Sequence, residues 1–583
     1  MSLQPQPLGP VPAETARVAR AAFPKGTLCL RIADALGTLY QDADFADLFP
    51  GRGQPAAAPA RVALATVLQF VEGLTDREAA DAVRGRLDWK YALALELTDP
   101  GFDHTVLSEF RGRLVAGGAE QRLLDLLVDQ LRARDFLKAR GRQRTDSTHV
   151  LAAVRGLNRL ERVGETLRAA LNALATIAPD WLTQVAPPAW YARYGRRVEN
   201  YHLPKTDAAR AALAAEIGAD GRHLLGAVDA ATDQPHLARL PAVATLRALW
   251  AQQYVADERG DGGGVRWRAV EEMPPPAAML SSPYDPEARY SRKRETEWVG
   301  YARMLVHLTE TCDADAPRLI THVETTPATT PDDGMVPVVH AALAARDLRP
   351  TEHLVDKGYT DAKVLVDSQH AHGVRLVGPV ADDPSWQARA AEGFDKAHFA
   401  VDWARKVVRC PAGKHSRSWR PNTYPKNGVV IEARFASRDC TPCLYRAQCT
   451  RAAREPRIIG LQSREREEAL QAARRAQDTD VFRAAYAARA GIESTHAQAI
   501  RRCGLRRCRY LGLAKTRLQH VVTAVALNVV RVAEWTAGSH PAPTRRSAFA
   551  RLQDTVFSSK GHGVTSAGAS AGMTKGCRRR ATL

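Results

Sequence analysis

Three acidic residues stand where a carboxylate can do chemistry. Asp146 lies in the run TDSTHV, Asp356 in LVDKGY and Glu493 in RAGIESTH. An acidic residue of this kind, taken alone, is more often a solvated surface residue. Three carboxylates that converge without basic partners, however, cannot all stay ionised without a large electrostatic repulsion. They become stable around divalent cations, and their oxygen ligands suit Mg²⁺ or Mn²⁺. Two such ions about 4 Å apart promote in-line phosphodiester displacement, so the three residues predict a two-metal phosphoryl-transfer site.

Basic and aromatic residues accompany two of these carboxylates. Tyr486, Arg489 and Glu493 are spaced i, i+3 and i+7, which predicts that they share one face of a helix. On that face, Arg489 could hold a DNA phosphate and Tyr486 a base. The alternative is an ordinary amphipathic helix with a surface arginine. Lys357 follows Asp356 directly and is a further candidate phosphate contact.

The chain is basic as a whole. Its 583 residues include 82 Lys and Arg against 64 Asp and Glu, for a net charge of +18. This excess of basic residues suits a protein that binds a long polyanion over several domains. The alternative is a basic surface that is only solvated. The segment RRCGLRRCRYLG is rich in arginine, and its charge suits a DNA backbone. The DNA contacts expected there are Arg501, Arg502, Arg506 and Arg507.

Four of the nine cysteines cluster along the chain. Cys410, Cys440, Cys443 and Cys449 form the pattern C-x29-C-x2-C-x5-C. A C-x2-C knuckle with two further cysteines can hold a structural Zn²⁺ ion in tetrahedral geometry, and His415 could replace one ligand. The alternatives are four reduced, buried thiols or a vestigial site.

The remaining compositional features concern the cellular compartment. The cysteine usage does not resemble a secreted disulfide framework. No run of about 18 apolar residues predicts a membrane span, and the first residues lack the pattern of a signal peptide. We therefore expect no membrane partner and a protein of the reducing cytoplasm.

A mixed α/β fold is expected to position the three carboxylates. The pattern predicts three strands, a helix, a strand, a helix and a last strand, at 142–154, 299–311, 317–328, 333–346, 351–359, 360–371 and 374–380. On a mixed sheet of this kind the first and fourth strands are neighbours, so Asp146 and Asp356 would project at one edge. A final helix near 480–500 would carry Glu493 across that edge.

The N-terminal part of the chain reads as helical. Thr75 and Glu78 form a capping-box pattern at the start of GLTDREAADAVRGRLDWKYAL. A second helix, HTVLSEFRGRLV, is expected to carry Arg111 and Arg113 outward together with Ser108 and Glu109. This arrangement permits a DNA-binding helix-turn-helix, and a plain helical bundle is the alternative.

The predicted domain organisation follows from these patterns. It consists of a helical DNA-binding region at 1–140, a catalytic core at 141–535 and a disordered basic tail at 536–583. The core is expected to contain a mostly helical insertion at 156–290 and a cysteine-containing insertion at 381–480.

The motifs together resemble a known family. The runs TDSTHV, YDPEARYSRKRETEWVGYARMLVHL, VETTPATTPDD, VDKGYTD, CPAGK, CTPCLYRAQCT and RAGIESTHAQAIRRCGLRRCRYLG resemble the DDE transposases of bacterial insertion sequences, specifically the long group with a cysteine-bearing insertion before the Glu. The resemblance implies a ribonuclease-H-like core with Asp146, Asp356 and Glu493 as the metal-binding triad. One departure is Ile500, which stands where many relatives have Lys and is followed by two arginines.

The resemblance also implies a function. The expected activity is DNA transposition, in which two Mg²⁺ or Mn²⁺ ions support hydrolysis at the end of the element and the freed 3′-hydroxyl then attacks target DNA. Because two ends must be brought together, the expected partners are double-stranded DNA and a second copy of the chain. The alternatives are a metal-dependent nuclease or resolvase without strand transfer, and a non-catalytic DNA-binding relative.

Overall fold

The computed structural model describes residues 1–151, 157–198, 203–256, 265–275, 278–293, 296–301, 305–327, 330–424 and 428–540. The chain divides into two units, Met1–Ala537 and Gly538–Leu583. The predicted basic tail lies almost entirely outside the described residues. None of the helices in the described ranges is both long enough and apolar enough to cross a membrane.

Seven helices form the N-terminal part of the chain. They are α1 (Ala13–Ala22), α2 (Leu28–Leu36), α3 (Pro59–Glu72), α4 (Asp76–Gly85), α5 (Leu87–Ala92), α6 (Thr105–Ala116) and α7 (Arg122–Ala133). The predicted capping box begins α4, where Thr75 and Glu78 cap each other's backbone N–H groups.

The basic residues of α6 differ from the sequence prediction. Arg111 is buried, ion-pairs with Asp76 at 2.5 Å and lies over the ring of Tyr510. Arg113 lies over the ring of Phe49. Both guanidinium groups therefore bind α6 to the rest of the fold. The prediction that they point outward is wrong, because cation–π and ion-pair partners inside the molecule compete with solvent for them.

The first strand, β1 (Arg142–His149), precedes a mostly helical segment. Its elements are α8 (Arg159–Ile177), α9 (Pro179–Val185), α10 (Pro188–Tyr194), α11 (Asp207–Ala230), α12 (Pro241–Gln253), β2 (Tyr254–Ala256), β3 (Val265–Trp267), β4 (Ala288–Lys293) and β5 (Thr296–Tyr301). The helices of this segment enclose a core of their own, which includes Leu167, Ile217, Leu246 and Trp250.

The main sheet resumes after this segment. Its elements are β6 (Leu305–Thr311), β7 (Ile320–Thr326), α13 (Met335–Ala345), β8 (Glu352–Leu354), α14 (Ala362–His372) and β9 (Arg375–Val377). The strand order is β7-β6-β1-β8-β9. Strands β7, β6 and β1 pair antiparallel, whereas β1, β8 and β9 pair parallel. The sequence of elements and the contact between the first and fourth strands agree with the prediction.

A second segment with separate small sheets follows β9. Its elements are α15 (Trp386–Ala390), β10 (Ala400–Asp402), β11 (Val407–Arg409), β12 (Ser418–Tyr424), β13 (Gly428–Arg434), α16 (Ser437–Cys440), α17 (Arg446–Cys449) and β14 (Ile458–Leu461). Strands β10 and β11 form one sheet, and β12, β13 and β14 form another.

Four helices complete the fold, namely α18 (Arg464–Gln477), α19 (Asp480–Ala487), α20 (Gly491–Cys503) and α21 (Leu513–Thr536). Helix α21 is buried on almost every side, as its run LQHVVTAVALNVV requires. It shares one hydrophobic core with α3, α7, β6 and β7. The N-terminal helices and the main sheet therefore enclose the same apolar interior.

Several buried histidines in this interior predict a pH-dependent stability. Burial lowers the pKa of His520 and of His322 to about 3 and that of His340 to about 4. Below pH 6.5 these histidines bind protons in the unfolded chain but stay neutral in the folded protein. The free energy of unfolding therefore falls as the pH drops from about 6.5 toward 4. Each histidine contributes up to about 1.4 kcal/mol per pH unit.

The measurement is the urea-unfolding midpoint between pH 7.5 and 4.5. His520→Asn should reduce the loss of stability with falling pH, because one buried histidine with a lowered pKa is removed. His370→Asn, at an exposed histidine on α14 that pairs with Glu465, is the matched control and should follow the wild-type curve. Equal declines in all three proteins would contradict the assignment.

Candidate active site

The register of the main sheet places two of the predicted carboxylates side by side. The last parallel pair between β1 and β8 joins Arg144 to Leu354. Asp146 and Asp356 each stand two residues after that pair. Because the two strands run in the same direction, both aspartates lie near the end of β8, with Asp146 still paired to Leu308 within β1 and Asp356 just after β8.

Asp356 presents its carboxylate from a tight turn. Its Oδ1 atom accepts a hydrogen bond from the Gly358 N–H at 2.8 Å and so begins the 3-10 turn Lys357–Tyr359. Gly358 cannot carry a side chain here without a shift, because a Cβ would lie 2.9 Å from the Asp332 carboxylate. The turn thus fixes one oxygen of Asp356, while Oδ2 lies 3.9 Å from Arg489.

The predicted helix near 480–500 is divided in the structure. Helix α19 ends at Ala487, a 3-10 turn spans Ala488–Ala490, and α20 begins at Gly491. The buried Arg144 guanidinium donates a hydrogen bond to the Ala488 carbonyl oxygen within this 3-10 turn. Tyr486, Arg489 and Glu493 therefore lie on three successive segments and not on one regular helix.

Gly491, the first residue of α20, tests how closely Arg144 packs against this part of the chain. A Cβ on Gly491 would lie 2.1 to 2.6 Å from the guanidinium atoms of Arg144. We expect Gly491→Ala to destabilise the protein by about 1–3 kcal/mol, because the crowded groups must move apart.

The measurement is the urea-unfolding midpoint. Gly226→Ala is the matched control, since Gly226 lies in the exposed part of α11 with open space at its Cβ position. That variant should be neutral or slightly stabilised, because alanine favours helix. A Gly491→Ala protein as stable as the control would refute the crowding argument.

Arg489 occupies the centre of the candidate site. Its Nη2 atom lies 2.9 Å from Asp146 and 3.9 Å from Asp356, and its Nη1 atom lies 3.2 Å from Glu493. The structure therefore brings the three predicted carboxylates around one guanidinium. The premise that they converge without a basic partner is wrong, because Arg489, predicted only as a phosphate contact, is that partner.

The carboxylates differ in their surroundings. The side chains of Asp146 and Arg489 are each 14% exposed, whereas that of Glu493 is 68% exposed. Burial raises the pKa of Asp146 above its ordinary value, and Asp356 and Glu493 add to this, although Arg489 opposes it. The arrangement carries three potential negative charges against one positive charge and can accept further positive charge.

A buried ion-pair network that the sequence patterns did not predict supports the site. The Arg144 guanidinium donates to Glu310 Oε1 through Nε at 2.8 Å and Nη2 at 2.5 Å. Glu310 Oε2 accepts from Thr495 at 2.7 Å and from Arg531 at 2.9 Å. Burial alone would raise the pKa of Glu310, but Arg531 and Arg144 outweigh it and hold that pKa below its ordinary value.

This network connects the elements that carry the carboxylates. Arg144 lies on β1 two residues before Asp146, and Thr495 lies on α20 two residues after Glu493. Glu310 on β6 joins them. The signal in the sequence was weak, because an arginine inside a strand is usually interpreted as a surface residue.

The other predicted DNA contacts fall into two groups. Lys357 ion-pairs with Asp382 at 3.2 Å, and Arg501 and Arg507 are exposed. The remaining ones have partners within the fold: Arg502 donates to the Val71 carbonyl oxygen, Arg506 donates to Thr148 at 2.8 Å, and the ring of Tyr486 stacks on Phe482 with 5.5 Å between centroids.

A different group of three potential metal ligands is packed more tightly. Within the described ranges, Cys29, Glu72 and Asp88 place their ligand atoms within 4.8 Å of one another. Arg86 ion-pairs with both carboxylates, and the Trp89 indole N–H donates to Glu72 at 3.1 Å. Arg86 offsets one of the two carboxylate charges of this group, whereas three carboxylates surround the single guanidinium of Arg489.

Two family models match the chain. Residues 409–533 match a transposase DDE domain, and residues 17–113 match a transposase domain designated DUF772. These matches support the assignment of the chain as a DDE transposase of an insertion sequence. A transposase DDE domain implies a ribonuclease-H-like core, and the mixed sheet agrees with that fold. No curated protein and no solved structure matches the transposase significantly.

The first match contains only part of the candidate site. It includes Arg489 and Glu493 but begins after Asp146 and Asp356. The link between the two halves of the site in this transposase comes from the tertiary structure, through the contacts of Arg489 with all three carboxylates.

Proposed function

We propose that the transposase binds the ends of its insertion sequence and catalyses metal-dependent DNA cleavage and strand transfer. The observation that supports this proposal most directly is the convergence of Asp146, Asp356 and Glu493 on the single cation of Arg489. Three carboxylates at the edge of a mixed sheet form a site for positive charge that accompanies phosphodiester chemistry.

The residues of the site suit the metal that the family implies. Carboxylate oxygens are the ligands that Mg²⁺ and Mn²⁺ prefer, and Asp146, Asp356 and Glu493 would hold them. When bound, two such ions stabilise the attacking and leaving oxygens of an in-line displacement. The raised pKa of Asp146 is consistent with this role, because burial is its largest cause and a bound cation would stabilise the buried carboxylate.

Arg489 has a second role in this proposal. It competes with cations for the same carboxylates, and a DNA phosphate offers its guanidinium an alternative bidentate partner. We infer that Arg489 contacts the phosphate next to the reacting bond. Tyr486, stacked on Phe482 beside the site, is placed for contact with a terminal base.

The proposed DNA path leads from the site across exposed basic residues. Lys357 lies next to Asp356, and its partner Asp382 is itself exposed, so a phosphate can replace that carboxylate. Arg501 and Arg507 are exposed beyond Glu493, whereas Arg502 and Arg506 stabilise the fold near the same path. Two ends of the element must be paired, so we propose that a homodimer assembles on DNA.

The test uses the purified full-length chain with DNA that carries the element's ends. With Mg²⁺ present, we expect cleavage at the ends and, from a pre-cleaved end with a free 3′-hydroxyl, joined products in a target plasmid. A nuclease or resolvase would cut the DNA without forming joined products. A non-catalytic relative would bind the ends and leave the DNA intact. Either result would refute the proposed function.

A further inference from the structure

The second segment after β9 has an unusually small interior. Its own core consists of six buried apolar residues, namely Phe399, Val408, Ala433, Phe435, Ile459 and Leu461. The two sheets of this segment are separate from the main sheet. Small units of this size rarely fold on apolar burial alone and commonly need a disulfide or a metal ion.

Four cysteines lie at or beside this small core, and three of them, Cys410, Cys440 and Cys449, pack against it. Cys410 follows β11, Cys440 ends α16, Cys443 lies in the turn after α16, and Cys449 ends α17. All four line one cavity of about 30 Å³. The rest of the lining includes three phenylalanines and the cations Lys414, Arg446 and Arg457, while His415, the alternative ligand, does not contribute to it. Nearby cations favour thiolates over thiols.

The backbone around Cys410 is shaped for a thiolate. The Lys414 N–H points to Cys410 Sγ at 3.3 Å, and the Cys410 N–H donates to the Lys414 carbonyl oxygen at 2.8 Å. Gly413 closes this turn with φ +79°, a conformation that favours glycine. Hydrogen bonds from backbone N–H groups to sulfur stabilise metal-bound thiolates, as outer partners do in metal sites.

We propose that Cys410, Cys440, Cys443 and Cys449 bind one structural zinc ion. Four cysteines that line one cavity can supply the tetrahedral thiolate set that zinc prefers. No three of these sulfurs lie within 4.8 Å of one another, and ligands at a zinc–sulfur distance of about 2.3 Å would be about 3.8 Å apart. Zinc binding therefore draws the cavity walls together.

The ion would join three pieces of chain that otherwise contact one another weakly. It would connect the end of β11 to α16 and α17, and so fix the segment that lies between β9 and α18. The inference does not depend on the proposed DNA chemistry.

The test is the metal content of the full-length chain purified under reducing conditions, measured by elemental analysis. We expect about one equivalent of zinc, released when a mercurial reagent titrates the thiols. Cys443→Ser should lower zinc affinity at least about 10-fold, because even the mutation of a residue that only hydrogen-bonds to a metal ligand lowers affinity by that factor. Cys577→Ser, outside the cluster, and Asp356→Asn, in the active site, should keep their zinc.

A second measurement applies if the serine variant fails to fold. The wild-type chain, stripped of metal and loaded with Co²⁺, should show the visible absorption of a tetrahedral thiolate site. Iron in place of zinc, no binding of either Zn²⁺ or Co²⁺, or full zinc content in Cys443→Ser would each overturn the proposal. Loss of DNA cleavage in Asp356→Asn with zinc retained would separate the two metal sites.

Discussion

Replacing Asp356 with alanine is expected to abolish DNA cleavage and to leave binding of the element's ends largely intact. Asp356 is one of three carboxylates around Arg489, and its loss removes a proposed ligand for the catalytic ions. The loss of outer partners of a metal site already costs about 10- to 100-fold, so a direct ligand should cost at least about 100-fold in rate. The measurements are the single-turnover cleavage rate and the affinity for end DNA.

Two further variants separate charge from local structure. Asp356→Asn keeps an oxygen that can accept the Gly358 N–H, so it should fold normally and still fail to cleave. Asp367→Ala, at a partly exposed carboxylate that pairs with Lys363 on α14, is the control and should cleave at the wild-type rate. Cleavage by Asp356→Asn at near the wild-type rate would exclude Asp356 from the metal site.

Replacing Glu310 with alanine is expected to destabilise the core by about 3–5 kcal/mol, the usual effect of removing one partner from a buried ion pair. Glu310 is buried between Arg144 and Arg531 and accepts hydrogen bonds from both. Without it, two guanidinium groups remain inside the fold with no carboxylate between them. The measurement is the urea-unfolding midpoint followed by circular dichroism.

The matched control is Glu468→Ala on α18. Glu468 pairs with Arg464 at 2.8 Å, and both side chains are exposed. An exposed pair of this kind contributes at most about 1 kcal/mol, so the control midpoint should hardly move. A small effect of Glu310→Ala would show that the network does not hold β1, β6 and α20 together.

The low pKa of Glu310 gives this prediction a pH dependence. Because Arg531 and Arg144 hold the folded pKa below the ordinary value, the carboxylate stabilises the protein above that ordinary value. Its contribution is lost as the pH falls through the folded pKa. The difference between wild type and Glu310→Ala should therefore shrink in strong acid.

The order of the strands along the chain could be predicted from residue patterns, whereas the 3-10 turn before α20 could not. Apolar runs of strand length and the switch to helical spacing are local features, and they placed β1, β6, β7, β8 and β9 in order. The 3-10 turn between α19 and α20 contacts the Arg144 guanidinium, which lies far away in sequence. No periodicity within 480–500 contains that information.

Local sequence patterns also could not predict which way the basic side chains point. Arg111 has the spacing of an outward residue on α6, yet it is buried against Asp76 and Tyr510. Burial of an arginine depends on whether distant residues supply a carboxylate and a ring. Only the packing of α4, α6 and the segment before α21 provides both.

The sequence by itself determined which residue types are available for catalysis and in what order they occur. Asp146, Asp356 and Glu493 were identifiable because acidic residues at strand ends and in a helix form a recognisable pattern. Only the tertiary structure decided that Arg489 lies among all three and that Glu310 anchors the strand beneath them. The physical reason is that the net charge of a site is a sum over neighbours in space, and those neighbours come from segments far apart in the chain.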